Sequence, residues 1–265
     1  MSDIPANLVK QLRDETGAGF MACKRALEET GGDLEAAKKL LRERGEAQAA
    51  KRAGRETSEG IVLVTVSGAV GSLVAVGCET EPVSKNAEFL AFAERTLERV
   101  EADGPGAAAE LDGERTELVA RLGENIVVAD AARMEAGAGE MLAEYVHPPA
   151  NRIGVLLRVS GDDPVAARRL AMHISFARPR YLSRDEIPAA DVQAEREIYE
   201  KQPDVVSKPE QVREKIVAGM LQKRFFAESV LSEQVWIHDT SKTVSQALEE
   251  AGLEVLEFRR AALGA

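Results

Sequence analysis

The sequence predicts an α+β protein: a small N-terminal module of three helices, a two-part core with antiparallel strands, and a helical hairpin in the second part. Three observations predict it. The first 45 residues hold three short apolar-periodic stretches separated by glycines. Runs rich in β-branched residues, at 61–78 and again at 152–159, break that helical rhythm. From Ile187 to Leu231 the helical period returns, interrupted at Pro203 and Pro209.

In chain order, Leu8, Val9 and Leu12 mark a first helix that stops at Thr16-Gly17-Ala18-Gly19. Met21, Lys24, Ala26 and Leu27 mark a second, stopped by Gly31-Gly32. Asp33 is a good N-cap for a third helix, with Leu34, Ala37, Leu40 and Leu41 on one face and Gly45 as its end. Residues 1–45 are expected to form an autonomous, marginally stable module, and 46–59 a helical or flexible linker. IVLVTV and SLVAVGC, joined by SGAVG, read as a glycine-turned β-hairpin. A helix from Val83 to Val100 follows, then a loop from Asp103 to Gly113, a helix from Glu114 to Leu122, and a strand from Asn125 to Ala129.

The second part of the core (141–265, after a first part spanning 60–140) begins with a strand from Arg152 to Val159 and a helix opened by Asp163-Pro164-Val165. The hairpin at about 187–231 comes next. Val235-Trp236-Ile237 reads as a strand, Ser241 as a cap, Val244 to Ala251 as a helix and Leu253 to Phe258 as the closing strand. The two parts echo each other: Glu81-Pro82-Val83 leads to FLAFA, and Asp163-Pro164-Val165 to HISFA. Proline suits a first helical position, having no N–H to orphan and a φ already helical. Pro82 is therefore either a plain helix start or part of something presented to a partner.

Composition narrows the function. A net charge of −11 weighs against nucleic-acid binding. The basic stretch Lys51-Arg52-Ala53-Gly54-Arg55 is either a solvated linker or a local basic patch. Cys23 and Cys78 have no metal or CxxC spacing and are expected to be reduced thiols of a cytoplasmic protein. The first twelve residues lack the pattern of a secretory signal, and no apolar run reaches membrane-spanning length. No phosphate-binding GxxxxGK[ST] loop occurs, and the three histidines have no ligand spacing. His173, among apolar neighbours, is expected to be structural. No catalytic residue, metal or cofactor is predicted; a binding protein fits better than an enzyme.

LRDETGAGFMACKRAL, Leu12 to Leu27, resembles the N-terminal signature of the bacterial elongation factor Ts family, and VGCETEPVSKN resembles a variant of its second signature. The resemblance continues through Arg152-Ile153-Gly154-Val155, Ala171-Met172-His173 and Ser241-Lys242-Thr243-Val244. It implies a ubiquitin-associated-like helical module, a two-part α+β core and a helical-hairpin protrusion. It also implies nucleotide exchange on the GTPase elongation factor Tu, with no nucleotide bound by the chain itself.

The family's Asp-Phe wedge corresponds to Glu81 and Pro82, flanked by Thr80 and Val83. Further contact positions implied are Arg13, Lys24, Leu122, Gly123, His147, Ile237 and His238. Each has a plain alternative: Leu122 as core, Gly123 as a C-cap, His147 as a loop residue before Pro148-Pro149. The family's extra C-terminal contact helix is expected to be lacking after Gly264. Three functions remain open: an exchange factor blunted by the lost aromatic, a stabilising or sequestering partner of an elongation factor Tu, and an RNA-associated translation protein acting through residues 51–55.

Overall fold

The computed structural model describes residues 4–264. It opens with α1 (Ala6–Thr16), α2 (Phe20–Glu29) and α3 (Leu34–Arg52). These close on Val9, Leu12, Cys23, Ala26, Leu27 and Ala37. Gly17 ends α1 at φ 65°, and the Asp33 side chain accepts from Ala36 N–H at 3.0 Å, both where the sequence puts them.

Gly45 departs from expectation. It does not end α3, which runs on to Arg52 and makes half of the expected linker helical. Gly45 is buried where α3 crosses α6 (Asp112–Leu122), and a Cβ there would lie 3.1 Å from that of Ala120. The glycine serves close helix approach rather than a cap. Ala49, one turn on, packs against the core. α3 therefore belongs to the module at one end and to the core at the other.

Among the described residues, six strands form two antiparallel sheets. β1 (Glu59–Ser67), β2 (Val70–Cys78) and β3 (Ile126–Glu135) make one in the order β1-β2-β3. β4 (Glu140–Val146), β5 (Ile153–Ser160) and β6 (Glu254–Ala262) make the other in the order β4-β5-β6. The expected hairpin joins β1 to β2, with Ser67 opposite Val70 and Gly68 at φ 60°.

The sheets stack on Val62, Leu73, Ala75, Met134 and Leu156. Gly154 permits the approach, since a Cβ there would meet Val62 Cγ1 at 2.5 Å. Alternate residues point outward. Val76 and Cys78 meet Phe89, Phe92 and Ala93 of α5 (Ala87–Asp103) and Leu118 and Val119 of α6. Val155, Leu157 and Val159 meet α7 (Pro164–Ala177) and α12 (Val244–Ala251). The result is four layers, helix–sheet–sheet–helix, with β2 and β5 buried on both faces.

The hairpin is α8 (Ala189–Glu200), a single turn α9 (Pro203–Val206) and α10 (Glu210–Met220), which passes through a π-turn at Leu221–Phe226 into α11 (Ala227–Ser229). Tyr199, Val205, Val217 and Phe225 fill its interior.

Three further expectations are corrected, and one strand lies where none is expected. β4 was not foreseen: EMLAEYV is rich in helix formers, but pairing with β5 and packing of Met141, Ala143 and Tyr145 outweigh local propensity. Pro105–Leu111 forms a 3-10 helix against α5 rather than a loop. Val235–Ile237 is not a strand but makes one isolated bridge, Val235 to Thr243. The cap of α12 is Thr243, not Ser241: Thr243 N–H donates to Gln246 Oε1 at 2.9 Å, and Gln246 N–H donates to Thr243 Oγ1 at 3.3 Å. Ser241 instead donates its hydroxyl to Asp239 at 2.6 Å.

Candidate functional site

The helix expected from Val83 to Val100 is two elements. After β2 the chain makes a single turn, α4 (Glu81–Ser84), breaks at Lys85, and restarts as α5. Asn86 causes the restart, its Oδ1 accepting from Glu88 N–H at 2.8 Å and Phe89 N–H at 3.4 Å. The turn before it lies outside α5 and is joined to it by Asn86 N–H, which donates to Val83 O at 3.0 Å.

Two carboxylates pin that turn. Glu124 accepts from the N–H groups of Glu79 (3.1 Å) and Thr80 (3.0 Å), and from the Thr80 hydroxyl. Glu79 reaches back to accept from Asn125 N–H at 2.6 Å and pairs with Arg55 at 3.2 Å. The Asn125 N–H bond, with Arg55 beside it, holds the Glu79 carboxyl below the usual carboxylate range. The end of β2 and the start of β3 are thus cross-tied one residue outside their last ladder pair, Cys78 to Ile126.

On this base Thr80, Glu81 and Pro82 are exposed, while Val83 packs on the first-sheet core. Glu81 is tethered to Lys85 at 2.6 Å, which lowers its pKa. Cys78 beneath is no nucleophile: burial, then the Glu124 charge, push its thiol up to about 12, and it donates to Thr80 O at 3.3 Å.

Leu122 and Gly123 adjoin this turn through Glu124. Leu122 packs on the first-sheet core, and Gly123, at φ 79°, caps α6 with its N–H on Val119 O. His147 is exposed, its Nδ1 3.0 Å from the Tyr145 hydroxyl. Its loop lies at the same end of the sheets, where Asn151 O accepts from Val62 N–H at 2.7 Å and Arg152 pairs with Glu59 at 2.6 Å.

The remaining positions lie elsewhere. Arg13 is exposed on α1, and Lys24 on α2 is half-buried and 3.8 Å from Glu28. Ile237 and His238 sit against α7: Ile237 N–H donates to His173 Nδ1 at 3.4 Å, and His238 Nε2 donates to Arg169 O at 3.0 Å. His173 is fully buried, with Nε2 2.9 Å from Gln234 Oε1 and its ring 5.1 Å from that of Trp236. Glu79 and Glu124 escaped the sequence reading, as did the pairing of Arg55 with Glu79, because nothing in a linear pattern brings positions 55, 79 and 124 together.

Among the described residues no cluster of three or more His, Cys, Asp or Glu could hold a metal ion, and no helix is long and apolar enough to cross a membrane. The family model described as "Elongation factor TS" matches residues 79–265. Elongation factor Ts of Photorhabdus laumondii is 40% identical over 273 residues, covering 100% of this chain and 93% of that protein. Elongation factor Ts of Serratia proteamaculans is 38% identical over 271 residues, again 100% and 93%. Elongation factor Ts of Thioalkalivibrio sulfidiphilus is 40% identical over 273 residues, 98% and 92%. Fold and relatives together define a translation elongation factor. The chain belongs to the elongation factor Ts family.

Proposed function

We propose that this chain binds the GDP form of elongation factor Tu in the cytoplasm and promotes GDP release, with Thr80–Val83 as the element that enters the GTPase. The observation that carries the reading is the short turn outside α5: it is pinned at its base by Glu79 and Glu124, anchored by Val83, and exposed at Glu81 and Pro82. A rigid, exposed protrusion loses little conformational entropy on docking. Release comes about by differential binding, without bond chemistry: the nucleotide-free GTPase is stabilised more than the loaded one. Arg13, Lys24, Leu122, Gly123, His147, Ile237 and His238 are proposed as further contacts around it.

Pro82 is smaller than the aromatic ring implied for its position. Burying a Phe contributes about 1.5–3 kcal/mol, so exchange is expected to run about one to two decades below that of a Phe-bearing factor. Stopped-flow release of fluorescent GDP from the host's elongation factor Tu, with and without this protein, is the test. Acceleration supports the proposal. Tight binding without acceleration leaves a stabilising partner, the reading that the exposed, blunt Pro82 favours second. Calorimetric binding of GDP to the isolated chain would refute both.

A further inference from the structure

Away from that turn, two hollows of about 420 and 390 Å³ share Arg178 and Arg260 in their walls. Arg178 follows the last residue of α7 at φ 53° and is exposed. Arg260 stands on β6, half-buried, and donates Nε–H to Ser175 O at 3.1 Å, which fixes its guanidinium against the end of α7. Its Nη2 is buried with no hydrogen-bond partner.

The other charges around the hollows are occupied. Arg259 is held by Asp130 at 2.6 Å, and Arg180 lies 5.4 Å over the Tyr181 ring with Asp191 at 4.0 Å. Glu186 accepts from Leu182 N–H at 2.6 Å, and Glu257 faces Arg158 at 3.5 Å. Among the described residues no carboxylate reaches salt-bridge distance of Arg178 or Arg260, in a chain whose net charge is −11. Two neighbouring guanidinium groups without a counter-charge repel each other; burial and the Arg178 charge hold Arg260 below its ordinary pKa. A tetrahedral oxyanion between them would relieve the repulsion, accepting from the forked N–H donors of Arg178 and from Arg260 Nη1–H.

We propose that Arg178 and Arg260 bind a phosphate-class oxyanion, free phosphate or the phosphoryl end of a small ester, at the junction of α7 and β6. The site shares no residue with the proposed exchange element, so the two can fail separately.

The test uses the full chain, with inorganic phosphate and glycerol 3-phosphate as probes and chloride at matched ionic strength as the control. A saturable rise in the unfolding midpoint, with matching ³¹P line broadening, is expected. The Arg178→Asn variant removes the charge yet tolerates the left-handed backbone. It should weaken binding at least about tenfold, as losing a forked charge-assisted donor implies. Arg260→Lys keeps the charge and loses the planar guanidinium that Ser175 O fixes; it should weaken binding while the circular dichroism spectrum stays unchanged. Tighter binding of the ester assigns that source, and equal binding assigns free phosphate. If chloride reproduces the midpoint shift, or Arg178→Asn leaves the affinity unchanged, the site is refuted; the Arg178 result decides even if Arg260→Lys fails to fold.

Discussion

Glu81-Pro82-Val83 and Asp163-Pro164-Val165 are near-copies in sequence and opposites in structure. At the second junction Asp163 accepts from Val165 N–H (3.0 Å) and Ala166 N–H (2.9 Å), and α7 runs unbroken from Pro164 to Ala177. At the first, Thr80 stands at the cap position but makes no capping bond, its hydroxyl being turned to donate to Glu124; the helix lasts four residues. Proline permits a helix start at either place. A capping side chain is present at the second junction and absent at the first, where the helix stops at Lys85 and Asn86 caps a new one. The downstream segments differ too: FLAFA opens α5 with Phe89 and Phe92 buried, whereas HISFA closes α7 with His173 buried and Phe176 75% exposed. The first junction has been diverted from starting a helix to presenting a turn.

The sharpest way to exploit that difference is to restore the missing ring. Replacing Glu81-Pro82 with Asp-Phe should speed GDP release about ten- to hundredfold, the factor set by burying a Phe. Proline is expendable there, since the turn is outside α5 and the freed N–H can meet water. Stopped-flow release measures it. Slower release by the double variant would mean that Glu81-Pro82 is matched to a changed GTPase surface.

Removing the pin attacks the same junction from beneath. Glu124→Ala strips three donors of their acceptor and leaves Glu79 to hold β2 and β3 alone. It should cost about 1–3 kcal/mol, as the loss of hydrogen bonds to a charged acceptor does, read as a lower urea midpoint at unchanged slope. Any exchange activity should fall with it. An unaltered midpoint would show that the turn stands without its base.

Acid distinguishes the halves next, because only the second buries a histidine in its helix. Burial holds the His173 imidazole below its ordinary value of about 6.5. Above that pH the group is neutral folded and unfolded, and its packing is fully present. As pH falls below it the unfolded chain takes up a proton the folded one refuses, so stability declines by at most about 1.4 kcal/mol per pH unit. Urea midpoints from neutral to mildly acidic pH should fall more steeply for this protein than for His173→Gln. Parallel curves would show that His173 is not the sensor.

Most of the fold was legible where period and punctuation agree. The β1–β2 hairpin announces itself by β-branched runs around Gly68, and Val244–Ala251 by its amphipathic face. What escaped was set by tertiary contact. Gly45 looks like a stop but is a contact with Ala120; EMLAEYV looks helical but is a strand because β5 lies beside it. The site divides the same way. Thr80–Val83 could be singled out in the sequence, whereas the carboxylates that make it rigid lie 45 positions apart and meet only in the folded chain.

The smallest effects test the capping account directly. Asp163→Ala and Asn86→Ala each remove a side chain that accepts from two helix N–H groups, and each should cost about 1 kcal/mol, the usual worth of an N-cap. Thr80→Ala removes a residue at the same nominal position, yet caps nothing. It loses one hydroxyl bond to a carboxylate that keeps two backbone donors, so about half a kcal/mol is expected, at the low end for a hydrogen bond at an exposed site. The ranking carries the meaning, since all three substitutions put alanine at the head of a helix. Chemical denaturation resolves differences of this size when the slopes agree. If Thr80→Ala costs as much as Asp163→Ala, α4 and α5 fold as one capped unit, and the first junction is a helix start after all. If Asn86→Ala costs nothing, α5 does not depend on its own cap, and the break at Lys85 has another cause.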